Sequence, residues 1–209
     1  MPPVNLETPD GLPASPEGYA APVRFRYPMG MLQAASLVVL IIAGLIFASI
    51  ATTAQGIAFW AWFSPDLVGI VLILLTLPAV IVLHELIHGI VFQLLGYRVY
   101  YGFAPEMGAA YAAAFGQWQK RWHNAVAAAA PLVVITLIFV PMLTLSGLLS
   151  NLAFVVLLIN TSGAVGDVYI LYRLARMPRG ALLYDISIDT MLMYFPLHSS
   201  DTTRSESSR

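Results

Sequence analysis

Cysteine is absent from this chain, so it has no disulfide framework, thiolate metal site or cysteine nucleophile. Charge is scarce. Only 10% of the 209 residues are Asp, Glu, Lys or Arg, against roughly 25% in an ordinary soluble domain. So few charges cannot cover a water-facing surface, which excludes a soluble enzyme or a wholly disordered chain. An excess of one sign is also missing. Ten Lys and Arg face eleven Asp and Glu, for a net charge of −1. No global field draws in a polyanion, and a nucleic-acid partner is excluded. No internal repeat is visible, which argues against a transporter built from repeated halves. What is plentiful is apolar: 59% hydrophobic residues and a mean hydropathy of +0.78. The composition is that of an all-α integral membrane protein.

Four apolar stretches reach the spanning length of about 20 residues: about 31–54, 67–95, 124–147 and 151–173. The second, straight, would be about 43 Å long. It must tilt, protrude or kink at Pro78 to suit a hydrocarbon core of about 30 Å. Residues 1–30 are polar and Pro-rich, with Glu7, Asp10, Glu17, Arg24 and Arg26. They lack the order of a secretory signal, a short basic stretch and then an apolar run. They read as a flexible tail ahead of a non-cleaved first helix. The expected organisation is a tail over 1–30, a four-helix membrane domain over 31–175, a cytoplasmic segment over 176–197 and a disordered tail over 198–209.

Basic residues set the orientation. The connection 55–66 has none, and neither has the one near 148–150. Arg24, Arg26, Arg98, Lys120, Arg121, Arg173, Arg176, Arg179, Arg204 and Arg209 occupy the other segments. The positive-inside rule then puts both termini and the 96–123 loop in the cytoplasm, in a membrane best read as a prokaryotic plasma membrane. Within that loop, V-Y-Y-G-F and A-A-Y-A-A-A-F flank a turn-like P-E-M-G at 105–108, which suggests a small interfacial β-hairpin. Residues 181–195 alternate weakly around Asp185 and Asp189 and suggest a short second one.

Ionisable groups inside a bilayer are costly, so a cluster of them is a functional hypothesis by default. His84, Glu85 and His88 lie in the second span and Asp167 in the fourth. The first three form H-E-L-I-H. On a helix, side chains four apart stack one turn above each other, so two imidazoles can share one Zn2+. Glu85, offset by about 100°, is left to take a proton from the metal's water, the general-base role of H-E-x-x-H. A catalytic zinc needs a third protein ligand. His84 and Asp167 both lie about 25 Å below the outer edge of their spans at 1.5 Å per residue, so Asp167 is the candidate. Gly163 and Gly166 are expected to let its helix approach closely. Asn160, two turns up, is placed to hydrogen-bond either a substrate backbone or another helix. His123 reads as an interfacial polar residue, and Asp66, Glu106, Asp185 and Asp189 as solvated loop charges.

The motif H-E-L-I-H-G at 84–89 and the later N-T-S-G-A-V-G-D at 160–167 resemble the site-2 protease superfamily of intramembrane zinc metalloproteases. The chain is most similar to a compact, zincin-like branch of it, over roughly residues 67–175. That superfamily's later motif has an Asn, a Pro three on, and then an Asp followed by Gly. Here the Asn is present, the Pro is absent and the Gly precedes the Asp. The resemblance implies zinc on His84, His88 and Asp167, Glu85 as the catalytic base, and a membrane-embedded or membrane-associated polypeptide as substrate, cut near the cytoplasmic face. Two other readings use the same residues: an inactive zinc-binding scaffold that recognises partner helices, and an ion transporter.

Overall fold

A computed structural model describes residues 13–105 and 109–197. Among the described residues, three helices are long and apolar enough to cross a membrane, or four if a bent pair counts as one span, and they are accompanied by two small antiparallel sheets.

The first long helix, α1 (Met29–Gln55), has no proline or charge inside it. It stops where Gly56 takes the left-handed conformation (φ 69°) and returns its N–H to Thr52 O. A single turn, α2 (Phe59–Trp62), leads on to α3 (Leu67–Leu94). Asp66 caps α3 through Oδ1, which accepts the Gly69 N–H at 2.8 Å. At the far end, Gly96 (φ 90°) and a Tyr97 N–H bonded to Phe92 O close the helix. Pro78 is carried inside α3 without interrupting it. The outward faces of α1 and α3 are apolar and exposed, including Leu37, Ile41, Leu45, Leu74 and Leu75, as expected of surfaces that meet lipid tails.

After α3, β2 (Tyr100–Ala104) and β3 (Ala109–Ala113) form the hairpin expected in this loop. Glu106 lies outside the described residues. Then come β4 (Trp118–Lys120) and α4 (Arg121–Phe139), which a 3-10 turn at Pro141–Thr144 extends. α3 packs against both α4 and the next helix, α5 (Leu148–Gly163), and α1 packs against α5.

The expected fourth span is not one straight helix. α5 ends at Gly163, α6 (Val165–Ala175) follows, and the two are bent by 44°. The local chemistry accounts for the bend. Ser162 Oγ turns back onto Leu158 O (2.8 Å) and Ile159 O (3.2 Å), and a glycine follows. Such Ser/Gly pairs are common sites of sharp kinks. Asp167 stands in the first turn beyond the bend.

The polar N-terminal segment also differs from expectation. Part of it is built into a sheet. β1 (Val23–Arg26) pairs with β6 (Thr190–Tyr194), which pairs with β5 (Leu182–Asp185), which pairs with β4. Residues upstream of β1 are tied down as well, because the Tyr194 hydroxyl donates to Pro13 O (3.0 Å) and Leu197 N–H to Gly18 O (2.8 Å). Phe25, Leu183, Met191 and Met193 face Ile170 and Leu174 of α6 in a buried cluster. Each such side chain stabilises the fold by about 1.5–3 kcal/mol. The segments 1–12 and 198–209, where Glu7, Asp10, Arg204 and Arg209 fall, lie outside the described residues.

Candidate metal centre

His84 and His88 sit one turn apart on α3, both buried, with ring centroids 4.8 Å apart. Their Nε2 atoms approach to 3.2 Å. Asp167, from the first turn of α6, completes the group: Oδ2 is 3.1 Å from His84 Nε2 and Oδ1 is 3.3 Å from His88 Nε2. The bend between α5 and α6 thus delivers its carboxylate to the imidazoles of α3. Glu85 is close too, for His84, Glu85 and His88 each present an atom within 4.8 Å of the others. The Ala112 backbone of β3 lies beside the Glu85 carboxylate.

The outer nitrogens decide what the inner ones can do. His84 Nδ1 lies 2.9 Å from Asn160 Oδ1, and His88 Nδ1 lies 2.8 Å from the Ala127 carbonyl. Both partners are acceptors, so each Nδ1 carries the proton and each Nε2 is left with a lone pair. Two lone pairs and a carboxylate then point at one spot with no hydrogen between them. Only a cation satisfies that set. Four-coordinate zinc at about 2.0–2.1 Å from each donor separates neighbouring donors by about 3.3 Å, close to the 3.1–3.3 Å here. The donors therefore fit zinc.

The Ala127 carbonyl is free for a reason visible in the sequence. Within α4 it would normally accept the N–H of the residue four further on, which is Pro131. Proline has no N–H, so that oxygen can receive His88 instead. Asn160 is similarly placed: it is buried, its Oδ1 holds His84, and its Nδ2 has no partner among the described residues.

Two cavities meet at Glu85. One, of about 220 Å³, is lined by Glu85, His88, Asn124, Asp167, Asp185 and β3. The other, of about 310 Å³, is lined by His84, Glu85, Ile81, Asn160, Ser162 and Gly163. Gly163 and Gly166 have open space where a Cβ would stand. They do not provide the close helix contact expected of them. The close contact comes from Gly89, where a Cβ would overlap the Tyr101 ring of β2.

The chain's match to known proteins covers this same region. A family described as "Putative zincin peptidase" matches residues 77–182, 106 of the 209. The chain belongs to this family. The zincin-type family match and the His–Glu–His group together support a zinc peptidase. No curated protein and no solved structure matches.

The remaining charged candidates fall elsewhere. His123 Nδ1 bonds the Tyr97 hydroxyl at 2.6 Å, away from this cluster. Asp189 pairs with Arg26 at 2.7 Å. Asp185 is not the solvated loop charge expected. It faces the first cavity, and Gln119 Nε2 donates to its Oδ2 at 2.6 Å. Burial pushes its carboxyl up to about 6 against the pull of Gln119. Burial and the carboxylates of Asp185 and Asp167 also raise the Tyr27 phenol well above its usual range, so it stays neutral. Nothing local marks an aspartate at a strand end as cavity-facing, so Asp185 had no signal of its own.

Proposed function

We propose that this protein is an intramembrane zinc metalloendopeptidase of the site-2 protease superfamily, with four spans and with its sheet side in the cytoplasm. The observation that carries the reading is the convergence of His84, His88 and Asp167 inside an apolar helix bundle, beside a carboxylate that none of the three needs. The positive-inside rule supports the orientation: Arg24, Arg26, Lys120 and Arg121 lie at the sheet end, and residues 55–66 at the opposite end carry no basic residue.

His84, His88 and Asp167 would hold the metal. Zinc so bound supplies a water that loses its proton near neutral pH and a Lewis acid for a peptide carbonyl. Glu85 would take a proton from the attacking water as its oxygen bonds to the scissile carbonyl carbon, and would deliver that proton to the leaving nitrogen as the C–N bond breaks. Asn160 keeps His84 in the tautomer that leaves Nε2 free, and Ala127 does the same for His88. The unpartnered Asn160 Nδ2 is available to a substrate carbonyl. A helical substrate has its carbonyls occupied, so it must unwind before it is cut. β3 lines the same cavity as Glu85, and its backbone offers such a strand a partner. The substrate is then a membrane-embedded or membrane-associated polypeptide.

Metal analysis of the purified protein tests this reading without relying on activity. The unsubstituted protein should carry about one zinc per chain, and His84→Ala and Asp167→Ala should lose most of it. A full zinc equivalent in both variants would overturn the assignment.

A further inference from the structure

The first cavity has an acidic wall. Glu85, Asp167 and Asp185 all line it, and no Lys or Arg does among the described residues. Two of the three are committed. Asp167 lies between the imidazoles, and Glu85 stands beside them. Asp185 has no cationic partner among the described residues. Its Oδ2 accepts from Gln119, and its other oxygen has no hydrogen-bond partner among the described residues.

Gln119 is fully buried and fully used. Its Oε1 accepts from Asn124 Nδ2 at 2.8 Å, and its Nε2 also reaches Ala114 O at 3.2 Å. A strand of the sheet and the first turn of α4 therefore fix Asp185 in place. A carboxylate withdrawn from water without a counter-ion is unfavourable, and it favours any ligand that brings one. Ile188 and Met191 line the same cavity and suit the aliphatic stem of a long basic side chain.

We propose that Asp185 selects the substrate by pairing with a Lys or Arg side chain close to the bond to be cut. The inference rests on the proteolytic reading above and adds a substrate class to it. Polypeptides that span a membrane carry Lys and Arg on the cytoplasmic flank of their helices, the side on which the sheet and this cavity are placed. The selected substrate is thus the basic cytoplasmic end of a membrane segment.

The test uses two fluorescein-labelled apolar peptides that differ at one central position, Lys in one and norleucine in the other. Each is titrated with the full-length, zinc-loaded Glu85→Gln protein in detergent micelles, and affinity is read by fluorescence anisotropy. The Lys peptide should bind about tenfold more tightly, as a partly buried charge-assisted pair implies. Adding Asp185→Asn, which keeps an oxygen for Gln119 to donate to, should bring the ratio close to one. Equal affinity before that change, or an undiminished Lys preference after it, overturns the inference. So does a loss of bound zinc in Asp185→Asn, which would make Asp185 part of the metal centre. Digestion of the pair by the zinc-loaded unsubstituted protein needs no variant. Cutting of both at equal rates removes the selectivity and leaves the peptidase standing. Cutting of neither, with an Asp185-dependent Lys preference intact, removes the peptidase and leaves the recognition.

Discussion

Along α3, residues 67–83 and residues 84–94 share one helix, yet they differ in polarity and face different surroundings. The first stretch buries Gly69 and Val80 and leaves Leu67, Val68, Leu74 and Leu75 exposed. The second buries His84, His88, Gly89 and Phe92. The second alone carries ionisable residues, His84, Glu85 and His88, and these call for different neighbours. The difference lies in the partners. Only the second stretch meets β3, the Ala127 carbonyl of α4 and the Asp167 carboxylate of α6. The first stretch presents mostly apolar side chains outward, while the second also meets protein groups that hold its ionisable residues, as apolar surroundings require.

Glu85→Gln should break that contrast most sharply. The amide keeps the side chain's volume and cannot take a proton from water. Peptide hydrolysis should fall by about 10²–10⁴, while metal analysis still finds a full zinc equivalent. Leu74→Ala, in the first stretch, should leave both near their starting values. Zinc lost along with activity in Glu85→Gln would make Glu85 a ligand and not a base.

Gly89→Ala probes packing in place of chemistry. The new Cβ would overlap the Tyr101 ring, so the β2–β3 hairpin must shift. Overpacking of this kind costs about 1–3 kcal/mol, and each kcal/mol lowers Tm by about 2–4 °C at this chain length. Thermal unfolding in detergent measures it. Leu74→Ala provides the control and should cost under about 0.5 kcal/mol. Equal costs at the two positions would erase the distinction between the halves.

How much of this was legible depended on whether a signal was local. H-E-L-I-H declares itself because both imidazoles and the carboxylate sit within one turn and a half of helix. The apolar runs declare themselves by length. Asp167 could be matched to His84 by depth alone, since both spans start from the same edge. The four-stranded sheet was hidden because its strands come from three distant places, V-R-F-R at 23–26, W-Q-K at 118–120 and the C-terminal hairpin. Each is too short to show a period. The role of Asp185 was hidden with it, since only pairing with β4 brings Gln119 to its carboxyl. The bend after Gly163 had a signal, a serine beside a glycine, that a uniformly apolar window conceals. Pro131 was equally readable: a proline in a membrane helix frees the carbonyl four residues before it.

Pro131→Ala tests that last point with a smaller effect. The alanine N–H would compete for the Ala127 carbonyl and leave His88 Nδ1 partly unpartnered. α4 gains a hydrogen bond while the metal centre loses an orienting one. Loss of such a contact typically lowers metal affinity 10–100-fold. Because the carbonyl can be shared, the low end, about tenfold, is expected in a chelator-competition titration. An unchanged affinity would show that His88 is held by packing alone.

The smallest expected effect compares the two ends of the β5–β6 turn, where Asp185 and Asp189 shift in opposite directions. Asp185 is raised from 3.8 to about 6 by burial, so between those values the folded chain holds more protons than the unfolded one. Its contribution to stability is present below about pH 4 and is lost as pH rises through 6. Asp189 is lowered to about 2 by hydrogen bonds from Ser187, Arg26 and Thr190. Its contribution is present above about pH 4 and is lost as pH falls towards 2. Asp189 is half-buried but its partner Arg26 is exposed and the pair is screened, so its share is slight. Asp185→Asn should therefore raise Tm at pH 7 relative to the unsubstituted protein by a few degrees, roughly, and make little difference at pH 4. An equal shift at both values would mean that Asp185 contributes through its hydrogen bond to Gln119 and not through its charge.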